Sequence, residues 1–347
     1  MIRVGLLFGG QSAEHEISVQ SARNILAALS PTRYEPVPIG ITRQGQWWLA
    51  ELDWLAQASP QKLPPFVQGL TPVAVVPSQG LVGLRQHQWE PLPVDVVFPV
   101  LHGPRGEDGT VQGLLTLAGL PFVGAGVLGS AVGMDKEVMK RLLTQAGIPV
   151  GNYRCYRRGQ AVNPETVIAA LGLPVFVKPA NLGSSVGVTR VRTAEELRPA
   201  LEKAWQYDAK VLVEQAITGR EIECAILDGS PPQASVAGEI IPQHDFYSYE
   251  AKYLDDQGAL LKMPADLTPD QVTQVQALSV QVFQVLECAG LGRVDWFFTP
   301  DGTWIVNEIN TIPGFTQISM YPKLWELSGI SYGDLVNRLL ELALGAD

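Results

Sequence analysis

Two carboxylates and an amide occur within one short segment of the C-terminal part of the sequence. Asp295, Glu308 and Asn310 belong to two apolar, aromatic runs joined by Thr-Pro-Asp-Gly at 299–302, which is the composition of a β-hairpin. Their oxygen atoms are the ligand type that Mg²⁺ prefers when it also binds nucleotide phosphates. Arg293 lies beside them and is suited to stabilising a transferred phosphoryl group. This segment therefore predicts a magnesium site for phosphate chemistry.

The hairpin can assemble this site only if its two strands pair in a suitable register. Side chains alternate faces along a strand, so Arg293 shares a face with Asp295, and Glu308 shares a face with Asn310. Counting outward from the turn places Asp295 within about one residue of Glu308. A bulge at the turn decides whether the two faces coincide. The alternative is a solvent-facing hairpin with incidental charges.

A second candidate feature is the loop Asn-Leu-Gly-Ser-Ser-Val-Gly at 181–187, which follows a predicted strand ending near Lys178. Glycines let backbone amides approach phosphate oxygens, and a neighbouring lysine adds a compact positive charge. The sequence contains neither GxxxxGK[ST] nor GxGxxG, the two common phosphate-binding patterns. On these residues alone, an ordinary turn explains the loop as well as a phosphate site does.

Three further charged residues lie at the ends of predicted elements. Lys136 opens a helix, Glu214 ends one strand, and Glu221 begins the next. A linker with a carboxylate at each end could bind the amino group of adenine and the hydroxyl groups of ribose. Exposure to solvent explains the two carboxylates equally well, and it is the simpler explanation of the lysine.

The elements that must position these residues begin with a buried strand at 2–8, which stops at Gly9-Gly10. A helix with apolar spacing at 18–29 follows, and strand, glycine turn and helix together open a doubly wound α/β domain. A second buried strand at 94–101 leads to a helix at 111–118. The intervening residues 43–93 are interpreted as short strands and loops.

The pattern of elements predicts three domains, at 1–124, 125–215 and 216–347. A chain of 347 residues exceeds the usual size of a single core, which also favours several domains. Further predicted elements are a helix at 134–146, strands at 175–179, 210–215, 221–227 and 238–241, a polar aromatic loop at 243–258, a helix at 269–289, a hairpin at 292–308 and a final helix.

Composition excludes several classes of protein. The formal net charge of −10 disfavours a nucleic-acid partner, because an acidic surface repels the phosphate backbone. The cysteines at 155, 224 and 288 are few and widely spaced, which disfavours disulfides and zinc and suits a reducing cytosol. No apolar run is long enough for a membrane span, and the N-terminus does not resemble a signal peptide. A cytoplasmic enzyme without membrane contacts is therefore expected.

Four motifs, in order along the chain, resemble those of D-alanine–D-alanine ligases. The segment at 9–18, GGQSAEHEIS, is similar to the opening motif of that family, and HGPRGEDGTVQG at 102–113 is similar to its second motif. The hairpin end NEINTIPGFT at 307–316 resembles the signature NExNTxPG[FM]T. With the glycine-rich loop, the resemblance covers essentially the whole chain.

The resemblance implies a three-domain α/β ATP-grasp fold with an N-terminal doubly wound, Rossmann-like domain. It also implies ATP-dependent coupling of two D-alanines through an acyl phosphate, with two Mg²⁺ or Mn²⁺ ions, for peptidoglycan synthesis. The family forms homodimers through the first domain. The loop at 243–258 is expected to be a mobile lid, because an acyl phosphate must be protected from water.

The resemblance assigns site residues in three groups. The implied metal ligands are Asp295, Glu308 and Asn310, with Glu308 bridging both ions. The implied ATP-binding residues are Lys136, Lys178, Glu214, Ile217, Glu221, Lys252 and Asn307. The implied substrate-binding and catalytic residues are Glu14, His102, Ser184, Tyr253, Arg293, Gly314 and Ser319.

Individual roles follow from the same resemblance. Glu14 would anchor the ammonium group of the first D-alanine, and His102 would lie near that substrate. Arg293 and the Gly314 amide would stabilise the oxyanion. Ser319 would hold the carboxylate of the second D-alanine. The hydroxyl groups of Ser184 and Tyr253 would belong to a hydrogen-bonded set near the second substrate, and Lys252 would contact the γ-phosphate.

Three alternatives compete with this interpretation. A relative that uses D-lactate or D-serine as second substrate is the nearest, and Tyr253 favours an amine over lactate without excluding serine. A nucleotide-dependent oxidoreductase is disfavoured by the absence of GxGxxG and by the predicted metal hairpin. A catalytically inactive homologue is disfavoured because every expected catalytic side chain is present.

Overall fold

The computed structural model describes residues 1–58, 71–242 and 259–345. These residues form a mixed α/β structure with three separate sheets of seven, four and five strands. Within the described ranges, no helix is both long and apolar enough to cross a membrane. Each of the three predicted domains contains one of the sheets, and the boundaries between the domains stay predictions.

The first sheet has a parallel centre. Strand β1 lies between β2 and β7 and is parallel to both, and helix α1 connects β1 to β2. This confirms the predicted doubly wound opening. The strands are β1 (Ile2–Gly9), β2 (Tyr34–Ile41), β3 (Trp47–Leu49), β4 (Thr71–Val76), β5 (Gly80–Arg85), β6 (Gln88–Leu92) and β7 (Val96–Val100), in the order β6-β5-β4-β3-β2-β1-β7. The helices are α1 (His15–Ala28), α2 (Leu52–Gln57) and α3 (Thr110–Ala118).

The described residues of the segment at 43–93 extend the same sheet. Strands β3 to β6 pair antiparallel with one another and join the parallel centre through β2. Strands β3 and β6 are short and poor in buried apolar residues, so their pattern in the sequence is weak.

The second sheet is antiparallel and has the order β10-β9-β11-β8. Its strands are β8 (Tyr153–Arg157), β9 (Val175–Pro179), β10 (Thr189–Val191) and β11 (Lys210–Gln215). The helices around it are α4 (Val127–Met134), α5 (Lys136–Gln145), α6 (Pro164–Leu171) and α7 (Ala194–Ala204).

The predicted single helix at 134–146 was wrong at its first turn. Met134 ends α4, and Asp135 has an extended backbone with φ −80° and ψ 97°. The Asp135 carboxylate accepts hydrogen bonds from the N–H groups of Glu137 and Val138 and thereby caps α5. Lys136 is consequently the first residue of α5, where its side chain can point into the interior.

The third sheet is antiparallel and has the order β14-β13-β12-β15-β16. Its strands are β12 (Arg220–Leu227), β13 (Gln233–Pro242), β14 (Ala259–Lys262), β15 (Leu291–Phe298) and β16 (Trp304–Asn310). The helices of this part are α8 (Pro269–Val285), α9 (Met320–Leu327) and α10 (Tyr332–Ala343).

Two helix predictions in this region were wrong. The helix predicted at 269–289 ends at Val285, because Glu287 has a left-handed φ of 53° that a right-handed helix cannot include. The predicted final helix is two helices, α9 and α10, separated at Gly329, where φ is 90°. The strand predicted at 238–241 is longer, since β13 begins at Gln233. The loop predicted at 243–258 lies outside the described residues, and the other predicted elements are confirmed to within a few residues at their ends.

The first and third sheets share one hydrophobic core. Phe98 of β7 packs edge-on against Phe315, with ring centroids 5.8 Å apart. Leu291 at the start of β15 belongs to the same cluster. Backbone contact is also close, since a Cβ atom on Gly290 would lie 2.9 Å from the Gly124 nitrogen. This packing fixes the loop after β16 against the first sheet.

Candidate active site

The register of the β15–β16 hairpin brings its polar side chains together. Asp295 pairs directly with Glu308, and Arg293 pairs directly with Asn310. The register shifts between Asp295 and Trp296, which pairs with Val306, so Asn307 is the extra residue of a bulge. Directly paired residues lie on the same face. The two faces, whose coincidence the sequence left open, therefore coincide.

Arg293 is held between carboxylates. Its guanidinium donates two hydrogen bonds of 2.7 Å to Asp295, one to each oxygen, and its Nε lies 2.9 Å from Glu223 Oε2. Asn310 Nδ2 also donates to Asp295, at 3.0 Å. Burial opposes the charged form of Arg293, but the charges of Asp295 and Glu223 raise its pKa well above the usual value. The guanidinium is thus a fixed positive charge.

A cavity of about 500 Å³ lies between the second and third sheets. Glu308 lies on its wall, so the hairpin face and the cavity are continuous. All of the predicted ATP-binding residues within the described ranges line it. These are Lys136, Lys178, Glu214, Ile217, Glu221 and Asn307, and Ser184 lines it too.

The charged residues of this cavity form two linked groups. Lys136 Nζ lies 3.1 Å from Glu308 Oε2 and donates to the Leu182 carbonyl at 2.8 Å. Lys178 Nζ lies 2.6 Å from Glu214 Oε2, and Lys140 Nζ lies 3.3 Å from Glu214 Oε1. Lysine side chains therefore surround the cavity, which suits a polyphosphate. Glu214 and Lys136 are largely buried, so solvent exposure does not explain them.

The loop after β7 contacts the loop after β16. His102 Nδ1 donates to the Ile312 carbonyl at 3.0 Å. Glu107 accepts from the N–H of Gly103 at 2.7 Å and from that of Ile312 at 3.1 Å. Burial, reinforced by the charge of Glu14, raises the pKa of Glu107 to about 8.

Glu14 belongs to this group as well. A Cβ atom on Gly103 or on Gly183 would lie 3.7 Å from Glu14 Oε2, so the carboxylate reaches both the loop after β7 and the glycine-rich loop. Burial lowers the pKa of His102, the charge of Glu14 opposes that shift, and the charge of Arg293 adds to it. Glu14, His102 and Arg293 are thus close enough to act on one ligand.

Gly314 and Ser319 are adjacent on the other side of the β16 exit loop. A Cβ atom on Gly314 would lie 2.9 Å from Ser319 Oγ. Ser319 Oγ accepts from the Thr316 N–H at 3.0 Å and lies 2.7 Å from the Thr316 hydroxyl. The structure therefore brings this pair together.

Two predicted residues, Lys252 and Tyr253, and the expected lid at 243–258 lie outside the described residues. Three residues of the site were missed from the sequence: Lys140, Glu107 and Glu223. The position of Lys140, one helical turn after Lys136, was the available signal for the first. Glu107 stands within the motif at 102–113, which could have drawn attention to it. Glu223 lies two residues after Glu221 on the same strand face.

The fold, with a lysine-lined cavity between two antiparallel sheets, defines a multidomain α/β enzyme of the ATP-grasp class. Comparison with known proteins narrows the class. The family model described as D-ala D-ala ligase N-terminus matches residues 3–125, and the model described as D-ala D-ala ligase C-terminus matches residues 142–341. The chain belongs to the D-alanine–D-alanine ligase family.

Individual relatives are similar over the full length. The D-alanine–D-alanine ligase A of Chromobacterium violaceum is 49% identical over 99% of this chain and 95% of its own. That of Escherichia coli K12 is 48% identical over 99% and 96%. Among solved structures, the D-alanine–D-alanine ligase of Coxiella burnetii has a TM-score of 0.87 with 37% identity, covering 99% of this chain and 96% of that one. The VanG D-Ala:D-Ser ligase of Enterococcus faecalis has a TM-score of 0.87 with 34% identity, covering 99% of each chain.

Proposed function

We propose that this protein joins two D-alanines into D-alanyl-D-alanine, converts ATP to ADP and phosphate, and serves peptidoglycan synthesis in the cytoplasm. Family membership and the names of the similar proteins support the reaction. The observation that carries the proposal is the direct pairing of Asp295 with Glu308 at the wall of the lysine-lined cavity. This geometry suits a reaction in which a phosphoryl group is transferred to a carboxylate.

In the proposed complex, ATP occupies the cavity between the second and third sheets. Glu214 and the backbone of Ile217 bind the adenine, and Glu221 binds the ribose. Lys136 and Lys178 bind the phosphates. The positions of their side chains on one cavity wall support these roles.

The hairpin face fits two Mg²⁺ or Mn²⁺ ions. Asp295, Glu308 and Asn310 supply hard oxygen ligands, and Lys136 Nζ at 3.1 Å from Glu308 indicates that this position attracts a cation. Among the described residues, no three His, Cys, Asp or Glu side chains are grouped to hold a metal, so phosphate oxygens and water would complete the coordination. When bound, the ions would screen the negative charges of the phosphates and the attacking carboxylate.

In the proposed first step, a carboxylate oxygen of the first D-alanine attacks the γ-phosphorus of ATP, and the bond to ADP breaks. Glu14 holds the ammonium group of this substrate, with His102 nearby. Arg293 neutralises the charge that gathers around the carboxylate. The product is an acyl phosphate.

In the second step, the amine of the second D-alanine attacks the acyl carbon. Arg293 and the Gly314 N–H stabilise the resulting oxyanion, and the carbon–oxygen bond to phosphate then breaks. The attacking nitrogen gives up a proton to the departing phosphate, which then leaves. Ser319 would hold the carboxylate of the second substrate. By resemblance, Ser184 and Tyr253 would orient it, and Lys252 would bind the γ-phosphate.

We also propose that the protein is a homodimer joined through its first domain. Apolar side chains on α3 and α4 support this arrangement, since Leu117 is 66% exposed and Leu128 is 60% exposed. Val127 lies beside Leu128 and is 45% exposed. A group of exposed apolar residues of this kind is typical of a protein–protein interface.

The deciding experiment measures phosphate release from ATP and Mg²⁺ after addition of D-alanine, L-alanine, D-serine or D-lactate, with product masses. Release with D-alanine alone, together with a D-alanyl-D-alanine mass, is expected. A mixed product with D-serine would support the second candidate, a D-alanyl-D-serine ligase, which the similarity to the Enterococcus enzyme favours. Absence of release with every amino acid would contradict both.

A further inference from the structure

Lys140 is almost completely buried beside the nucleotide cavity. It follows Lys136 by one turn of α5, so both side chains face the same side of the helix. Its exposed fraction is 1%, and its Nζ lies 3.3 Å from Glu214 Oε1 and 5.9 Å from the ring centroid of Tyr153. A lysine is rarely buried to this extent unless it is paired, and Lys140 is paired with Glu214.

Glu214 lies between two ammonium groups. Lys178 approaches one carboxylate oxygen at 2.6 Å, and Lys140 approaches the other at 3.3 Å. Burial by itself raises the pKa of Glu214, but the charges of Lys140 and Lys178 outweigh it and leave the pKa below its usual value. The carboxylate is therefore ionised and can only accept hydrogen bonds.

The two lysines differ in what else they can reach. Lys178 is the penultimate residue of β9, and the glycine- and serine-rich loop follows that strand, so bound phosphates would attract Lys178 away from Glu214. Lys140 lies against the ring of Tyr153, a residue of β8. Tyr153 pairs directly with Glu214 of β11. When Lys178 binds phosphate, Lys140 remains as the counter-charge of Glu214.

We propose that Lys140 is a positioning residue for base recognition, which keeps Glu214 ionised and in place so that the cavity selects a 6-aminopurine nucleotide over a 6-oxopurine nucleotide. An ionised carboxylate accepts a hydrogen bond from the 6-amino group of adenine and repels the 6-carbonyl oxygen of hypoxanthine. The inference rests on the proposed function only in placing the nucleotide in this cavity. It assigns to Lys140 a role that acts through Glu214 and not through the phosphates.

The test compares the dissociation constants of the magnesium complexes of ADP and IDP, which share their phosphates and differ at the base, by isothermal titration calorimetry. Lys140→Met is expected to weaken ADP binding by roughly tenfold to a hundredfold, the cost of a hydrogen bond to a charged group, and to leave IDP binding nearly unchanged. Lys140→Arg should retain the preference for ADP. The KM for ATP of Lys140→Met should rise with little change in kcat.

A double-mutant cycle separates action through Glu214 from a general structural effect. In the Glu214→Gln background, Lys140→Met should not alter the ratio of the two dissociation constants further. Arg141→Met is the matched control, because Arg141 is the next residue of α5, its side chain is 62% exposed, and its ion pair with Glu137 contributes little. The control should bind both nucleotides like the wild-type protein.

Two results would overturn the inference. Equal weakening of ADP and IDP would make Lys140 a phosphate ligand, and unchanged binding of both would make its role purely structural. If Lys140→Met does not fold, the Lys140→Met/Glu214→Gln protein decides, since it contains no unpaired buried charge at this pair. Dissociation constants for ADP and IDP that both equal those of Glu214→Gln support the inference, and a further equal loss of affinity for both nucleotides refutes it.

Phosphate release with D-alanine tests the proposed function separately. Selective ADP binding that depends on Lys140, without release, would remove the proposed reaction and leave this inference standing. Failure of the wild-type protein to bind ADP at all would remove both.

Discussion

Glu107 accepts a hydrogen bond of 3.1 Å from the backbone N–H of Ile312, although 205 positions separate the two residues. His102 binds the carbonyl group of the same residue at 3.0 Å, so both polar groups of Ile312 are fixed by the loop after β7. Pro313 and Gly314 follow immediately. The contact therefore sets the position of the backbone proposed to stabilise the oxyanion.

This relationship predicts a pH-dependent stability. Because the pKa of Glu107 is raised to about 8, the folded protein binds a proton that the unfolded chain releases near pH 4.5. The stabilisation from that proton is complete below pH 4.5 and is lost as the pH rises through about 8. Glu107→Gln lacks this proton, so its free energy of unfolding should increase relative to wild type across this window, by at most about 1.4 kcal/mol per pH unit.

Denaturant unfolding of the ligand-free proteins at pH 5, 7 and 9 checks this expectation. Glu90→Gln serves as the control, because Glu90 is an exposed residue of β6. Its difference from wild type should not vary with pH. Parallel pH profiles for Glu107→Gln and wild type would contradict the assignment.

A second prediction concerns the hairpin. Glu308→Gln should abolish turnover, because it removes a carboxylate that is proposed to bridge both ions and that pairs with Lys136 at 3.1 Å. Replacement of residues behind metal ligands costs roughly tenfold to a hundredfold, so loss of a ligand should exceed a hundredfold. Phosphate release as a function of Mg²⁺ concentration measures the effect. Glu202→Gln, at an exposed position of α7, should retain activity, and near-normal turnover of Glu308→Gln would refute the metal site.

The hairpin shows which features of the site the sequence alone predicts. Alternation of side chains correctly placed Arg293 with Asp295 and Glu308 with Asn310, because strand geometry is local. The bulge at Asn307 that aligns the two pairs depends on packing around the turn, which no short pattern specifies. The resemblance to a family supplied the residues of the cavity wall.

Residues that act through distant partners were missed for a different reason. Lys140 looks like a solvent-facing lysine on a helix until β11 places Glu214 beside it. Glu107 looks like a loop carboxylate until the shared core of the first and third sheets brings Ile312 to it. In both cases, the partner is distant in the sequence, and a pattern of residue types along the chain does not specify such a contact.

A third prediction concerns assembly. Leu117 and Leu128 are exposed apolar residues of α3 and α4, and charge at their positions should prevent burial against a second copy. Leu117→Glu/Leu128→Glu is expected to be monomeric by light scattering under conditions where the wild type is a dimer. Leu327→Glu, at a 51% exposed position of α9, is the control and should remain dimeric. A dimeric double variant, or a monomeric wild type, would contradict the proposed interface.

The last prediction separates the two substrate sites. A Cβ atom on residue 314 would lie 2.9 Å from Ser319 Oγ, so Gly314→Ala should displace that hydroxyl from Thr316, which it now contacts at 2.7 Å. The backbone N–H of residue 314 remains in the variant. The expected result is weaker binding of the second D-alanine, with roughly a tenfold higher KM and an unchanged KM for ATP.

Saturation of phosphate release with D-alanine, fitted for two successive sites, measures this change. Ser319→Ala should also raise the KM for the second D-alanine. Adding Gly314→Ala to Ser319→Ala should raise this KM little further, since the hydroxyl that Gly314→Ala displaces is already absent. Gly126→Ala is the matched control, because no atom lies within 4 Å of a Cβ atom there and the backbone φ is −68°. A lower kcat with both KM values for D-alanine unchanged would mean that residue 314 affects the stabilisation of the oxyanion. It would also mean that Ser319 does not belong to the second substrate site.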